Sequence, residues 1–154
     1  MQIVPLTSCD GQSVEFFRVV VDRRASLKRM IEDGRYDKVY PLVWTIRYRR
    51  LMGGRKEAEI ALVQFQHDFA PSEIKRMTKS HGHRPAYIEE LLALGREHPD
   101  LQRKNPIAAI GSGVIVKGRR HAVCIYGSEA KRELGTQVIY RRWSPYYRFA
   151  FVRK

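Results

Sequence analysis

The chain has 154 residues and a mass of 18.0 kDa, enough for one domain of ordinary size and too little for a two-domain enzyme. With 44% apolar and 29% charged residues it can bury a real core, which excludes a low-complexity or disordered tail. Lys and Arg number 29 against 16 Asp and Glu, a net charge of +13 with a pI near 10.1, and an excess of that size favours a polyanionic partner.

In chain order, Val14 to Asp22 (VEFFRVVVD) is dense in β-branched and aromatic residues and predicts a strand buried on nearly both faces, hence a central one. Ala25 to Asp33 places Leu27, Met30 and Ile31 at helical spacing and stops at Gly34, a usual residue just past a helix end. From Leu42 to Arg50, Leu42, Trp44, Ile46 and Tyr48 alternate with Val43, Thr45, Arg47 and Arg49, the period of a strand with one wet face. Gly53-Gly54 supplies a turn, and Ala58 to His67 resumes as the second strand of an antiparallel hairpin.

Pro71 opens a short helix (PSEIKRMTK) that ends near His81-Gly82. A firmer helix follows Pro85, with Ile88, Leu91, Leu92 and Gly95 on one side and Glu89, Glu90 and Glu97 on an acidic outer side, closed by Pro99. Ile107 to Val116 reads as a strand bent at Gly111 and Gly113, Lys117-Gly118 as a tight turn, and Ala122 to Tyr126 as its partner. Ser128 caps a brief helix (EAKREL), after which Thr136 to Trp143 and Tyr146 to Val152 form a last hairpin about Ser144-Pro145.

The sum is an α+β fold: one domain over residues 1–154, with a mostly antiparallel sheet (hairpins near 42–67 and 107–153) and two or three helices packed on it. Residues 1–104 carry the β-α-β-β-α-α part and residues 105–154 a basic, β-rich end. Charge follows the same division, since residues 104 to 154 hold eleven Lys and Arg but only Glu129 and Glu133. A two-metal carboxylate site in that last third is thereby excluded.

The candidate interface is this C-terminal sheet. Tyr140, Arg141, Arg142, Trp143, Tyr146, Tyr147 and Arg148 fall within nine positions, and a hairpin of that composition offers guanidiniums for phosphates beside rings on which bases stack. Lys117, Arg119 and Arg120 add charge at a neighbouring hairpin tip. Arg doublets recur at Arg23-Arg24, Arg49-Arg50, Arg119-Arg120 and Arg141-Arg142, each shortly after an apolar stretch. Strand ends that all deliver guanidiniums to one rim would suit bidentate phosphate contact, and edge protection explains them equally well.

The leading reading is a non-enzymatic nucleic-acid-binding module. Single strands or RNA are preferred over duplex DNA, because no helix looks built for a major groove. An adaptor or inhibitor that binds an acidic protein or a nucleoprotein complex uses the same residue types. The third reading is a small nuclease using His81 or His83 of the HGH loop, although neither HExxH nor a Cys/His cluster supports it. No cofactor and no metal are called for. Cys9 and Cys124 lie far apart without CxxC spacing, and Cys124 falls mid-strand as a buried structural thiol. With no apolar run near ~18 residues, the expectation is a cytoplasmic protein with no membrane partner.

Overall fold

The computed structural model describes residues 12–48, 54–65, 68, 70–139 and 142–154. Among them, eight strands and four helices make an α+β fold on a single mixed sheet. Strands β1 (Gln12–Asp22), β3 (Arg55–Phe65), β8 (Arg148–Arg153), β5 (Ile107–Val116), β6 (Arg119–Gly127), β7 (Arg132–Val138) and β2 (Lys38–Val39) follow one another across the sheet, and β4 (His83–Pro85) pairs with β8 beside β5. Most pairs are antiparallel, as expected. β5 with β8 and β2 with β7 are parallel. The sheet runs through both halves of the chain, because Ile60 to Gln64 of β3 pair with Arg148 to Val152 of β8.

Alternation along the strands sorts two cores. Ile60, Leu62, Val123, Ile125, Ala150 and Val152 face helices α1 (Leu27–Asp33) and α3 (Ile88–Glu97). Ala61, Val63, Cys124, Phe149 and Phe151 face Ile74 of α2 (Pro71–Ser80) and the indole of Trp143. Helix α1 forms where its pattern puts it: Ser26 Oγ accepts from the Arg29 amide at 3.1 Å, and Gly34 ends it. A fourth helix, α4 (Leu101–Lys104), follows Pro99.

Four expectations are corrected. The alternating stretch 42–48 is not a strand: Pro41 opens a 3-10 helix over Pro41–Thr45, whose three-residue period buries Val43 and Ile46 and leaves Trp44 48% exposed. Arg49, Arg50, Gly53 and His67 lie outside the described residues. The partner strand β3 pairs with β1 and β8 instead. Residues 129–134 are not a helix either. Ser128 to Lys131 make the turn between β6 and β7, with the Ser128 amide 2.9 Å from the Lys131 carbonyl, and the extended chain then buries Arg132 and Leu134 while Glu133 meets the Tyr40 hydroxyl at 3.3 Å. Burial of alternate residues outweighs the helix propensity of a short charged segment.

The last hairpin also fails, since β7 pairs with β6 and β2 and β8 with β3, β4 and β5. The Ser144-Pro145 turn itself is present, closed by the Tyr147 amide on the Ser144 carbonyl. Finally, β1 ends the sheet order instead of lying centrally. Its outer edge at Val20 is capped by side chains of α3: Glu97 Oε2 accepts from the Val20 amide at 2.9 Å and Arg96 donates to its carbonyl at 2.8 Å.

The bend expected at Gly111 and Gly113 is a large bulge. Ala109 pairs with Val123 and Gly113 with the adjacent Ala122, so Ile110, Gly111 and Ser112 are extra. The loop they form holds α3 in place, with the Gly111 amide on the Ala86 carbonyl at 3.0 Å and Ser112 Oγ accepting from the Ile88 amide at 2.9 Å. A Cβ on Gly113 would meet the His121 carbonyl oxygen at 1.9 Å. Gly113→Ala is therefore expected to destabilise the fold by about 2–3 kcal/mol, because the obstacle is backbone that must separate from its partner. Urea unfolding of the variant checks this.

Candidate nucleic-acid interface

The pairing registers bring strand ends together. β1, β5, β7 and β8 finish, and β3 and β6 begin, at the same end of the sheet. Arg23-Arg24, Arg55-Lys56, Arg119-Arg120 and Arg153-Lys154 consequently share one rim.

The rim divides by what its cations touch. Arg24 and Arg55 lie 3.1 and 3.7 Å from Asp22, and Arg153 lies 3.9 Å from Glu59. The Arg24 guanidinium and amide bond Asp22 and hold its carboxyl below the usual carboxylate range. Arg23 turns inward, 3.6 Å from both Glu89 and Glu90. Both glutamates are buried, which corrects the acidic outer face expected of α3. Glu90 accepts two bonds from Arg84, at 2.8 and 2.6 Å.

Lys117, Arg119 and Arg120 behave differently. They are exposed, and among the described residues none has a carboxylate partner. The same is true of Arg47, two residues past the 3-10 helix, which lines a cleft of about 550 Å³. Thr45, Arg47, Gly111, Gly113, Ile115 and Arg120 line it. The Lys117-Gly118 turn predicted from sequence sets this geometry: both residues have positive φ, 50° and 77°, and Val116 pairs with Arg119 across a two-residue loop. Ile115 then stands opposite Arg120 on one face, 72% exposed.

The C-terminal candidates lie elsewhere. Arg148 pairs with Ile107 at the start of β5, whereas Lys117 follows its end, a strand length of on the order of 25 Å. Trp143 is 1% exposed, its ring edge-on to Tyr147 at 4.9 Å and to Phe149 at 5.2 Å, so it fills core. Arg148 is buried too and bonds the carbonyls of Leu101 and Asn105. Burial pulls its pKa down from the ordinary arginine value. Tyr146 (55% exposed), half-buried Tyr147 and Arg142, which donates to the Asp68 carbonyl at 3.2 Å, remain at that far end. Tyr140 and Arg141 lie outside the described residues.

Among the described residues the histidines do not form a cluster. His83 is buried in β4 with Nδ1 2.9 Å from the His81 backbone oxygen, and His98, just past α3, packs its ring at a tilt against Phe17 of β1, ring centres 4.8 Å apart. Among the described residues no three His, Cys, Asp or Glu are placed to hold a metal. Cys124 is buried as expected, and burial pushes its thiol up to about 12. No described helix is long and apolar enough to cross a membrane.

Two residues of the cleft escape sequence reasoning, Arg47 and Ile115. The three-residue spacing of Val43 and Ile46 after Pro41 carried the signal for the first, and counting back from the Lys117-Gly118 turn would have paired Ile115 with Arg120. No family model, no curated protein and no solved structure matches this chain.

Proposed function

We propose that the protein is a non-enzymatic nucleic-acid-binding module that holds phosphates on the rim formed by the β5–β6 tip and the 3-10 helix. One observation supports this reading above the others: among the described residues Arg47 and Arg120, which line one cleft, and Lys117 and Arg119 at the adjoining hairpin tip stand exposed and without carboxylate partners, while neighbouring rim arginines are neutralised by Asp22, Glu59, Glu89 and Glu90. Unpaired guanidiniums in a concave, exposed setting are a phosphate-binding arrangement, and Arg suits bidentate contact better than Lys. The adaptor reading needs the same cations, so the partner must be identified by its salt response.

Fluorescence anisotropy with a labelled single strand, titrated across salt concentrations, tests it. Four phosphates neutralised on a single strand give a slope of log K against log salt of about −3. The double variant Lys117→Ala/Arg119→Ala is expected to bring the slope to about −1.5 with the fold intact, both side chains being exposed. A wild-type slope near zero, or no binding at low salt, would overturn the reading and leave an acidic protein surface as the partner.

A further inference from the structure

We infer that the cleft between Arg47 and the β5 edge takes one unstacked nucleotide of a single strand and reads its base through open backbone groups. This rests on the phosphate-binding rim proposed above and adds the ligand's chemical class and the way it is held.

The backbone register carries the argument. Val116 and Arg119 close the two-residue turn, so they are the hydrogen-bonded pair of the hairpin, and Ile115–Arg120 is the adjacent non-hydrogen-bonded pair. The amide and carbonyl of each member of such a pair point away from its partner. Arg120 follows this, its carbonyl accepting from the Ile139 amide of the β7 side at 2.8 Å. The groups of Ile115, and by the period of two those of Gly113, point the opposite way, toward the cleft. No described strand lies there, because β8 pairs with β5 only at Ile107 and Ala108 and then with β4. Gly113 and Ile115 thus present two donors and two acceptors along one wall.

That pattern fits a base and not an added strand. Below Gly113 the edge is already occupied, since the Gly111 amide is spent on the Ala86 carbonyl, and above Val116 the chain turns. Two residues are too few for a peptide to pair along, whereas a base edge offers mixed donors and acceptors over that length. The exposed Ile115 side chain supplies an apolar surface for the base face. Arg47 and Arg120, which both line the cleft, hold the adjoining phosphates. A cleft of about 550 Å³ is of small-ligand size, and a duplex keeps its Watson–Crick edges paired and its bases stacked, so it cannot seat a single base there.

The test uses the full chain and three labelled probes of equal length: a single strand, the same strand with abasic sites throughout, and a duplex. The single strand is expected to bind at least tenfold tighter than either of the others. Ile115→Ser, at a position too exposed to affect folding, is expected to weaken the base-bearing strand about fivefold, leave the abasic strand unchanged and keep the salt slope, because it removes a base contact and no charge. Trp44, which adjoins Thr45 and is half-exposed while Trp143 is buried, gives a second readout as a fluorescence change with the base-bearing strand only. Equal binding of abasic and base-bearing strands with a steep salt slope would overturn this inference and leave the phosphate rim standing. Absence of binding to all three would overturn both.

Discussion

Arg132→Met is expected to lower the unfolding free energy by about 3–5 kcal/mol and the melting temperature by roughly 10 °C. The guanidinium is buried, with 5% of the residue exposed, and among the described residues it faces no carboxylate. It donates instead to the carbonyls of Gly34 at 2.5 Å, Gly95 at 2.7 Å and Pro99 at 2.9 Å, and to Gln102 Oε1 at 3.1 Å. Gly34 caps the C-terminus of α1 and Gly95 lies in the last turn of α3, where helices leave carbonyls unsatisfied and carry partial negative charge. One cation therefore satisfies two helix ends and ties both to β7.

Space for this comes from the glycines. A Cβ on Gly34 would meet the Tyr36 ring at 2.3 Å and one on Gly95 the Tyr36 hydroxyl at 2.4 Å, and that ring lies 4.8 Å under the guanidinium. Burial pushes the Tyr36 hydroxyl up to about 12. Methionine fills the volume and leaves each carbonyl orphaned, so the loss measures the bonds and not a cavity. Arg132→Lys keeps the charge but cannot fan out to three carbonyls, and is expected to recover less than half of the difference in a urea titration.

How much of this was legible depends on whether a signal was local. Gly34, Pro71 and the Lys117-Gly118 turn act through their own backbones, and the structure has them as read. The Arg132 contacts could not be read, because a lone arginine in EAKREL looks like a solvated helix face until Gly34 and Gly95 are brought to it from 98 and 37 residues away. Trp143 and Arg148 were misplaced for a related reason. Composition sees aromatic and basic residues clustered along the chain, while the pleat sends Phe149 and Phe151 inward and draws Trp143 after them. Of the Arg doublets, Arg23-Arg24 and Arg119-Arg120 share one rim, because antiparallel pairing gathers alternate strand ends there, whereas Arg142 lies at the far end and Arg49, Arg50 and Arg141 lie outside the described residues. Which doublets remain available was set by Asp22, Glu89 and Glu90, and so by tertiary packing.

Glu90→Leu is the second change with a large expected effect, about 3–5 kcal/mol. Glu90 is 1% exposed and carries three loads at once: the Arg84 pair at 2.8 and 2.6 Å, the Tyr87 amide at 2.8 Å as the return half of the α3 capping box, and Arg23 at 3.6 Å. Removing it leaves Arg84, which also lies over the Tyr87 ring at 4.3 Å, without its bidentate partner. The double variant Arg84→Met/Glu90→Leu is expected to be more stable than Glu90→Leu alone, since the unpaired charge goes with it. Glu89 should behave oppositely. Burial, more than any neighbouring charge, raises its pKa above the ordinary 4.5, so the folded state binds its proton more tightly than the unfolded chain does. Stability from that protonated form is present below the ordinary value and lost as pH rises through the raised one. Glu89→Gln is therefore expected to match the wild type below the ordinary carboxylate value and to gain on it as pH rises through the raised one, levelling off above it. Glu90→Leu should stay destabilised at both ends of the series. Urea midpoints of the two variants across that range separate a carboxylate that organises the rim from one that burial disfavours.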